Sequence, residues 1–182
     1  METVELGYAV LIVVVALAAI TDARTGHIPN WITLPALALG VVLHLVTEGV
    51  PGLVVSVAAV CACAIVPYLL FRRDAMGGGD VKLLAAIGAL AGVRAGMEIQ
   101  LATFVVAAVW VMTKMAFRGR LTATLGRTAR VAVANVRRAP LPETRELDPE
   151  MTDAVRLGVP ALAATIFCVL SRTLAFSPFF GG

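Results

Sequence analysis

The chain is poor in charge, in histidine, of which it has two, and in cysteine, of which it has three. Only 15% of its 182 residues are charged, against 59% that are hydrophobic, and mean hydropathy is +0.90. A water-soluble domain of this length cannot bury so much apolar surface, which excludes an ordinary soluble fold. There are three cysteines, Cys61, Cys63 and Cys168, all inside apolar stretches and none in a Cys-x-x-Cys pair. They read as small apolar filler rather than zinc ligands, and no metal or other cofactor is expected. A net charge of +3 with a pI of about 9.1 does not point to nucleic acid, because the basic residues mark loops between apolar blocks. The first six residues contain Glu2 and Glu5 and no basic residue. They lack the basic n-region of a secretory signal, so the first apolar block is read as a retained span. No internal repeat and no second domain are visible, and residues 1–182 read as one membrane-embedded unit.

What the chain does have is long apolar blocks. They run from Leu6 to Thr21, Trp31 to Val46, Val50 to Phe71, Val81 to Val93, Ile99 to Thr113 and Leu157 to Leu170. A bilayer core about 30 Å thick takes about 20 helical residues. The pattern predicts an all-α, polytopic transmembrane bundle of about six spans, with the fourth short. Placing loops 22–30, 72–82 and 114–156 on one side gathers 13 of the 15 Lys and Arg residues there, leaving Arg94 and Arg172 on the other. The positive-inside rule makes the first side cytoplasmic and places both termini outside. The cytoplasmic loop 118–156 has a pattern of its own. Leu121, Leu125, Ala129, Ala132 and Val136 share one helical face, opposite Arg120, Arg127, Arg130, Arg137 and Arg138. This predicts a basic amphipathic helix lying on anionic membrane lipid. A connector rich in proline and acid follows, Ala139 to Asp153. Its acidic residues, Glu143 onward, offer a place for a basic substrate segment to be drawn in, or simply form a solvated linker.

Two aspartates stand at span ends. Asp22 closes the first block, and Asp80 follows Gly77-Gly78-Gly79 just before the fourth. Two spans separate them, so both lie on the same membrane face whatever the orientation. Carboxylates at the edge of hydrocarbon are costly and are functional candidates for that reason. Two that approach to about 3 Å cannot both ionise near neutrality and share a proton. One can then activate water while the other polarises a peptide carbonyl and protonates the leaving amine. Structural roles remain open: Asp22 as a partner for Arg24 or a cap, and Asp80 as the N-cap of a helix starting at Val81. The three glycines permit close backbone approach by an extended peptide, or form a flexible turn; a P-loop ending is absent. Lys82 tunes the pair, contacts substrate, or anchors the helix at the interface. Asp74 reads as a surface partner of Arg72 and Arg73, and His27 and His44 as non-catalytic.

The stretch Asp22-Ala23-Arg24-Thr25-Gly26-His27-Ile28-Pro29-Asn30, followed by Gly77-Gly78-Gly79-Asp80-Val81-Lys82, resembles the type IV prepilin peptidases, membrane aspartyl peptidases of the Gly-x-Gly-Asp type. The likeness covers residues 6–113. It implies a leader peptidase of the bacterial inner membrane that cuts prepilins or pseudopilins at the cytoplasmic face without a metal. Asp22 and Asp80 would be the catalytic pair; the residues themselves place Gly77, Gly78, Gly79 and Lys82 along the substrate of such an enzyme. Pilus-assembly machinery is an implied partner. Larger members carry paired Cys-x-x-Cys motifs and also methylate the new N-terminus; this chain is similar to the short, peptidase-only form of tight-adherence-type pili, so methylation is not expected. A small transporter and an inactive assembly scaffold are the competing readings.

Overall fold

The structure, a computed structural model, describes residues 2–117 and 157–175. Among these residues the only regular elements are α-helices: α1 (Glu2–Thr25), α2 (Asn30–Phe71), α3 (Gly78–Phe117) and α4 (Gly158–Ala175). That agrees with the demand that a backbone in hydrocarbon satisfy its own N–H and C=O groups. The first three are long and apolar enough to cross a membrane, and α4 carries a shorter apolar stretch. The predicted amphipathic helix at 120–138 and the acidic connector at 139–153 lie outside the described residues. The chain divides into two compact units, residues 1–106 with 156–182, and residues 107–155. Of the second, the described part is the end of α3.

In the first unit, α2 and α3 are each broken at a single glycine. Gly49 has φ 70° and ψ −150°, and Gly92 has φ 78° and ψ 175°. Residues eight apart on a straight helix are separated by about 12 Å. Here a Cβ on Gly52 would lie 2.3 Å from the His44 carbonyl oxygen, and one on Gly96 would lie 2.9 Å from the Gly88 Cα. Both helices therefore fold back on themselves, and the described residues form six helical segments where the sequence has six apolar blocks. Pro51 falls in the first turn after the Gly49 break, where its missing N–H costs nothing.

The first arm of α3, residues 78–91, is only about 21 Å long. Its surroundings explain why that suffices. Every residue from Leu83 to Leu90 is buried, so protein rather than lipid encloses this arm and its length need not match a bilayer. Leu11, Val15 and Ala18 of α1, Ile32 and Ala36 of α2, Ile99 of α3 and Ala161 of α4 complete the core around it. Small residues bring the backbones together, as membrane helix interfaces require. A Cβ on Gly40 would meet the Ala89 carbonyl carbon at 2.7 Å; one on Gly88 would meet the Ala59 oxygen at 2.7 Å and the Cys63 sulfur at 2.9 Å. The Ser56 hydroxyl donates to the Ala89 carbonyl at 3.2 Å. Cys63 is thus packing material, as its place in the sequence predicts.

Large apolar side chains such as Val13, Leu17, Ile20, Leu69, Leu101 and Phe167 cover the outside, the surface of a membrane protein. Arg94 and Arg172, the two cations set apart by the charge count, both pair with Glu98; the Arg94 contact is 3.3 Å. This joins the second arm of α3 to α4. The backbone contact at Gly40 leaves no space for a methyl group. Gly40→Ala is expected to cost about 1–3 kcal/mol through overpacking and to lower the thermal midpoint in detergent by several degrees. An unchanged midpoint would mean that the helices are not in such contact.

Candidate active site

Asp22 sits in the last turn of α1. Gly26, at φ 73°, ends that helix, and its N–H donates to the Asp22 carbonyl at 2.9 Å. A left-handed residue at this position needs no Cβ, so glycine terminates the helix cleanly. The buried Ile28 and the extended Pro29 (φ −76°, ψ 147°) then lead directly into α2.

Asp80 lies in the first turn of α3. That helix begins at Gly78, three residues before the Val81 start expected from the apolar block. The N–H groups of Asp80 and Val81 both donate to the Gly77 carbonyl, at 3.2 and 3.4 Å. The glycine run is therefore drawn into the helix, and Asp80 is a first-turn residue rather than its N-cap.

The two aspartates line one cavity of about 290 Å³, together with Gly26, His27, Ile28, Gly77, Gly78 and Gly79. Asp22 is 4% exposed, and its Oδ2 accepts the Gly158 N–H at 2.9 Å. Asp80 is half-buried, with Oδ2 lying back toward Gly77, where a Cβ would be 3.1 Å away. Gly79 is pressed against Ile28: a Cβ there would lie 2.9 Å from the Ile28 carbonyl oxygen and 3.1 Å from its Cβ. The glycine at 79 thus serves close contact between the two site-bearing segments, a packing role distinct from that of a flexible turn.

Lys82 does not line the cavity. Its Nζ donates to Asn30 Oδ1 at 2.7 Å, tying the second turn of α3 to the first residue of α2. His27, read from sequence as non-catalytic, is a cavity-lining residue; His44 is elsewhere, with Nδ1 against the Gly40 carbonyl at 3.0 Å. Asp74 is exposed, with φ 54°, and its N–H donates to the Phe71 carbonyl at 3.0 Å. It pairs with neither Arg72 nor Arg73 among the described residues, so it acts as a left-handed residue closing α2, a conformation Asp tolerates. Among the described residues no cluster of three or more His, Cys, Asp or Glu could hold a metal ion. Sequence reasoning missed the donor at Gly158. It is a backbone group 136 residues from Asp22, and no side-chain pattern announces it.

Residues 9–112 match the type IV leader peptidase family. Three curated relatives carry the name prepilin leader peptidase/N-methyltransferase. The protein of Dickeya chrysanthemi is 44% identical over 87 residues, covering 44% of this chain and 30% of the relative. That of Klebsiella pneumoniae is 33% identical over 96 residues, 50% and 42% of the two chains, and that of Neisseria gonorrhoeae is 36% identical over 80 residues, 41% and 28%. The matched part of the chain thus spans less than half the length of each relative. No solved structure matches. The Asn30–Lys82 bond is testable by a double-mutant cycle of Asn30→Ala and Lys82→Met. The two are expected to be non-additive in unfolding free energy by about 0.5–1 kcal/mol; strict additivity would show that the bond contributes nothing.

Proposed function

The chain belongs to the type IV leader peptidase family, and from that membership we propose that it is a membrane aspartyl endopeptidase removing the N-terminal leader of prepilins or pseudopilins, with Asp22 and Asp80 as its catalytic pair. The observation that carries the proposal is the shared cavity, to which two separate helix ends each bring one carboxylate. Three relatives named as prepilin leader peptidases support the substrate class.

In the proposed reaction the pair holds one proton. The ionised carboxylate takes a proton from water as the oxygen attacks the scissile carbonyl. The protonated carboxylate donates a hydrogen bond to that carbonyl and then a proton to the leaving amine. The protons belong to the pair until substrate binds. Gly77, Gly78 and Gly79 form a side-chain-free edge beside Asp80, along which an extended peptide can lie close to the backbone. Lys82 acts in this scheme by holding α3 to Asn30, and its proposed place along the substrate is untouched by that bond. The proposal covers the peptide cut alone, and no metal takes part in it.

The six helical segments are proposed to cross the bacterial inner membrane, with the cavity at the cytoplasmic face. The sequence supports this orientation: loops 22–30, 72–82 and 114–156, which the count of crossings assigns to one face, carry 13 of the 15 Lys and Arg residues. Pilus-assembly components are proposed partners on the same basis. Family membership weighs against the transporter reading. An inactive scaffold would share the fold and is separated from a peptidase by mutation.

Co-expression with a basic-leader pilin precursor, followed by gel shift and N-terminal sequencing, provides the test. Wild type is expected to trim the leader. Asp22→Asn and Asp80→Asn, inserted at equal levels, are expected to lower trimming by at least about 1,000-fold. Persistence of trimming in either variant would remove that aspartate from the catalytic pair. Chelation by EDTA is expected to leave the rate of the purified enzyme unchanged; a loss restored by added metal would overturn the metal-free mechanism.

A further inference from the structure

The last helix reaches the site through one backbone group. The Gly158 N–H, at the first residue of α4, donates to Asp22 Oδ2 at 2.9 Å in a buried setting. The fit leaves no room for a larger residue. A Cβ on Gly158 would stand 2.9 Å from both Asp22 Cβ and Oδ2, and 3.0 Å from the Ala19 Cα. A glycine is required here by contact, since nothing about its backbone angles demands one. Among the described residues no other hydrogen bond reaches the Asp22 carboxylate. Oδ2 thus carries the contact to α4, while Oδ1 accepts no hydrogen bond among the described residues.

We propose that Gly158 is a positioning residue for the peptide cut: its N–H, held at the start of α4, fixes the rotation of the Asp22 carboxyl group so that one oxygen is anchored and the other faces Asp80 and the bound peptide. This rests on the peptidase reading above. The physical basis is the steep dependence of proton transfer and carbonyl attack on the angle and distance of the reacting oxygen. A carboxyl group at the end of a helix turns easily about its Cβ–Cγ bond. An anchored oxygen removes that freedom before substrate arrives. The anchor also aligns α4 with the carboxylate: an 18-residue helix presents its N-terminus to a buried acid. Gly158 makes no contact with the reacting atoms in this scheme and acts through Asp22 alone.

The test separates positioning from packing by reading kcat and KM per folded enzyme. Full-length enzyme would be purified in detergent, its folded fraction measured by size exclusion and thermal unfolding, and cleavage of a pilin-precursor peptide followed. Gly158→Ala, which pushes α4 off Asp22, is expected to lower kcat by about 10- to 100-fold with KM within about twofold. Gly96→Ala is the packing control, since a Cβ there would crowd the Gly88 Cα at 2.9 Å. It is expected to lower thermal stability while kcat per folded molecule stays near wild type. Replacement of the residue 158 amide by an ester, through glycolate at that position, removes the donor with no added bulk. It is expected to lower kcat by at least about fivefold, and it decides the matter should Gly158→Ala fail to fold. If the ester enzyme cleaves at the wild-type rate, or if its loss appears in KM alone, the positioning role is overturned while the peptidase reading stands. If folded wild type cleaves no basic-leader precursor, the peptidase reading falls and takes this inference with it.

Discussion

Backbone-to-backbone contact around the first arm of α3 is the constraint on which the rest of the molecule depends. Gly40 and Ser56, one on each arm of α2, both meet Ala89, while Ala59 and Cys63 close on Gly88. None of these contacts gains from the hydrophobic effect in a lipid environment, because lipid is as apolar as the side chains. Their value is dispersion over a tightly fitted surface, and that is lost steeply when a single methyl intervenes. The far end of the central arm is thereby fixed at Gly88 and Ala89, and Asp80 is carried on its first turn.

The two sequence signatures of the site are, in three dimensions, one joint. Ile28 lies on Gly79, and Asn30 is bonded to Lys82. These contacts lock the turn after α1 to the start of α3, and the aspartates lie on either side of that joint. Gly79 is small because Ile28 is there, and Asn30 carries an amide because Lys82 reaches it. Residues that look like separate motifs along the chain are then the two halves of one seam, with α4 closing it from the side of Asp22.

Most of the fold was legible because lipid simplifies the code. Apolar block length and loop charge marked the helices, and the crossing parity put Asp22 and Asp80 at one end before any geometry was known. The sequence also marked Gly77, Gly78 and Gly79 as a place of close approach. It misdirected on the start of α3, because a run of glycines favours no helix until Gly77 supplies a carbonyl acceptor, and it gave no sign that Lys82 would bond Asn30. The ion pair expected of Asp74 fails for a similar reason: the turn after Phe71 uses its backbone angles rather than its charge. The Gly158 anchor was beyond reach. A main-chain donor has no side-chain signature, and its partner lies 136 residues away.

The glycines at 49 and 92 carry a consequence about handedness. Their angles, φ 70° with ψ −150° and φ 78° with ψ 175°, fall in the mirror image of the extended region that L-residues adopt freely. At Gly92 a side chain of ordinary chirality would meet no neighbouring atom within 4 Å, so space is not what excludes it. At these two points the chain reverses direction by behaving as the opposite enantiomer for one residue. Glycine is the achiral residue that ribosomal synthesis can supply for the purpose, and D-alanine would take these backbone angles without the strain that L-alanine would suffer.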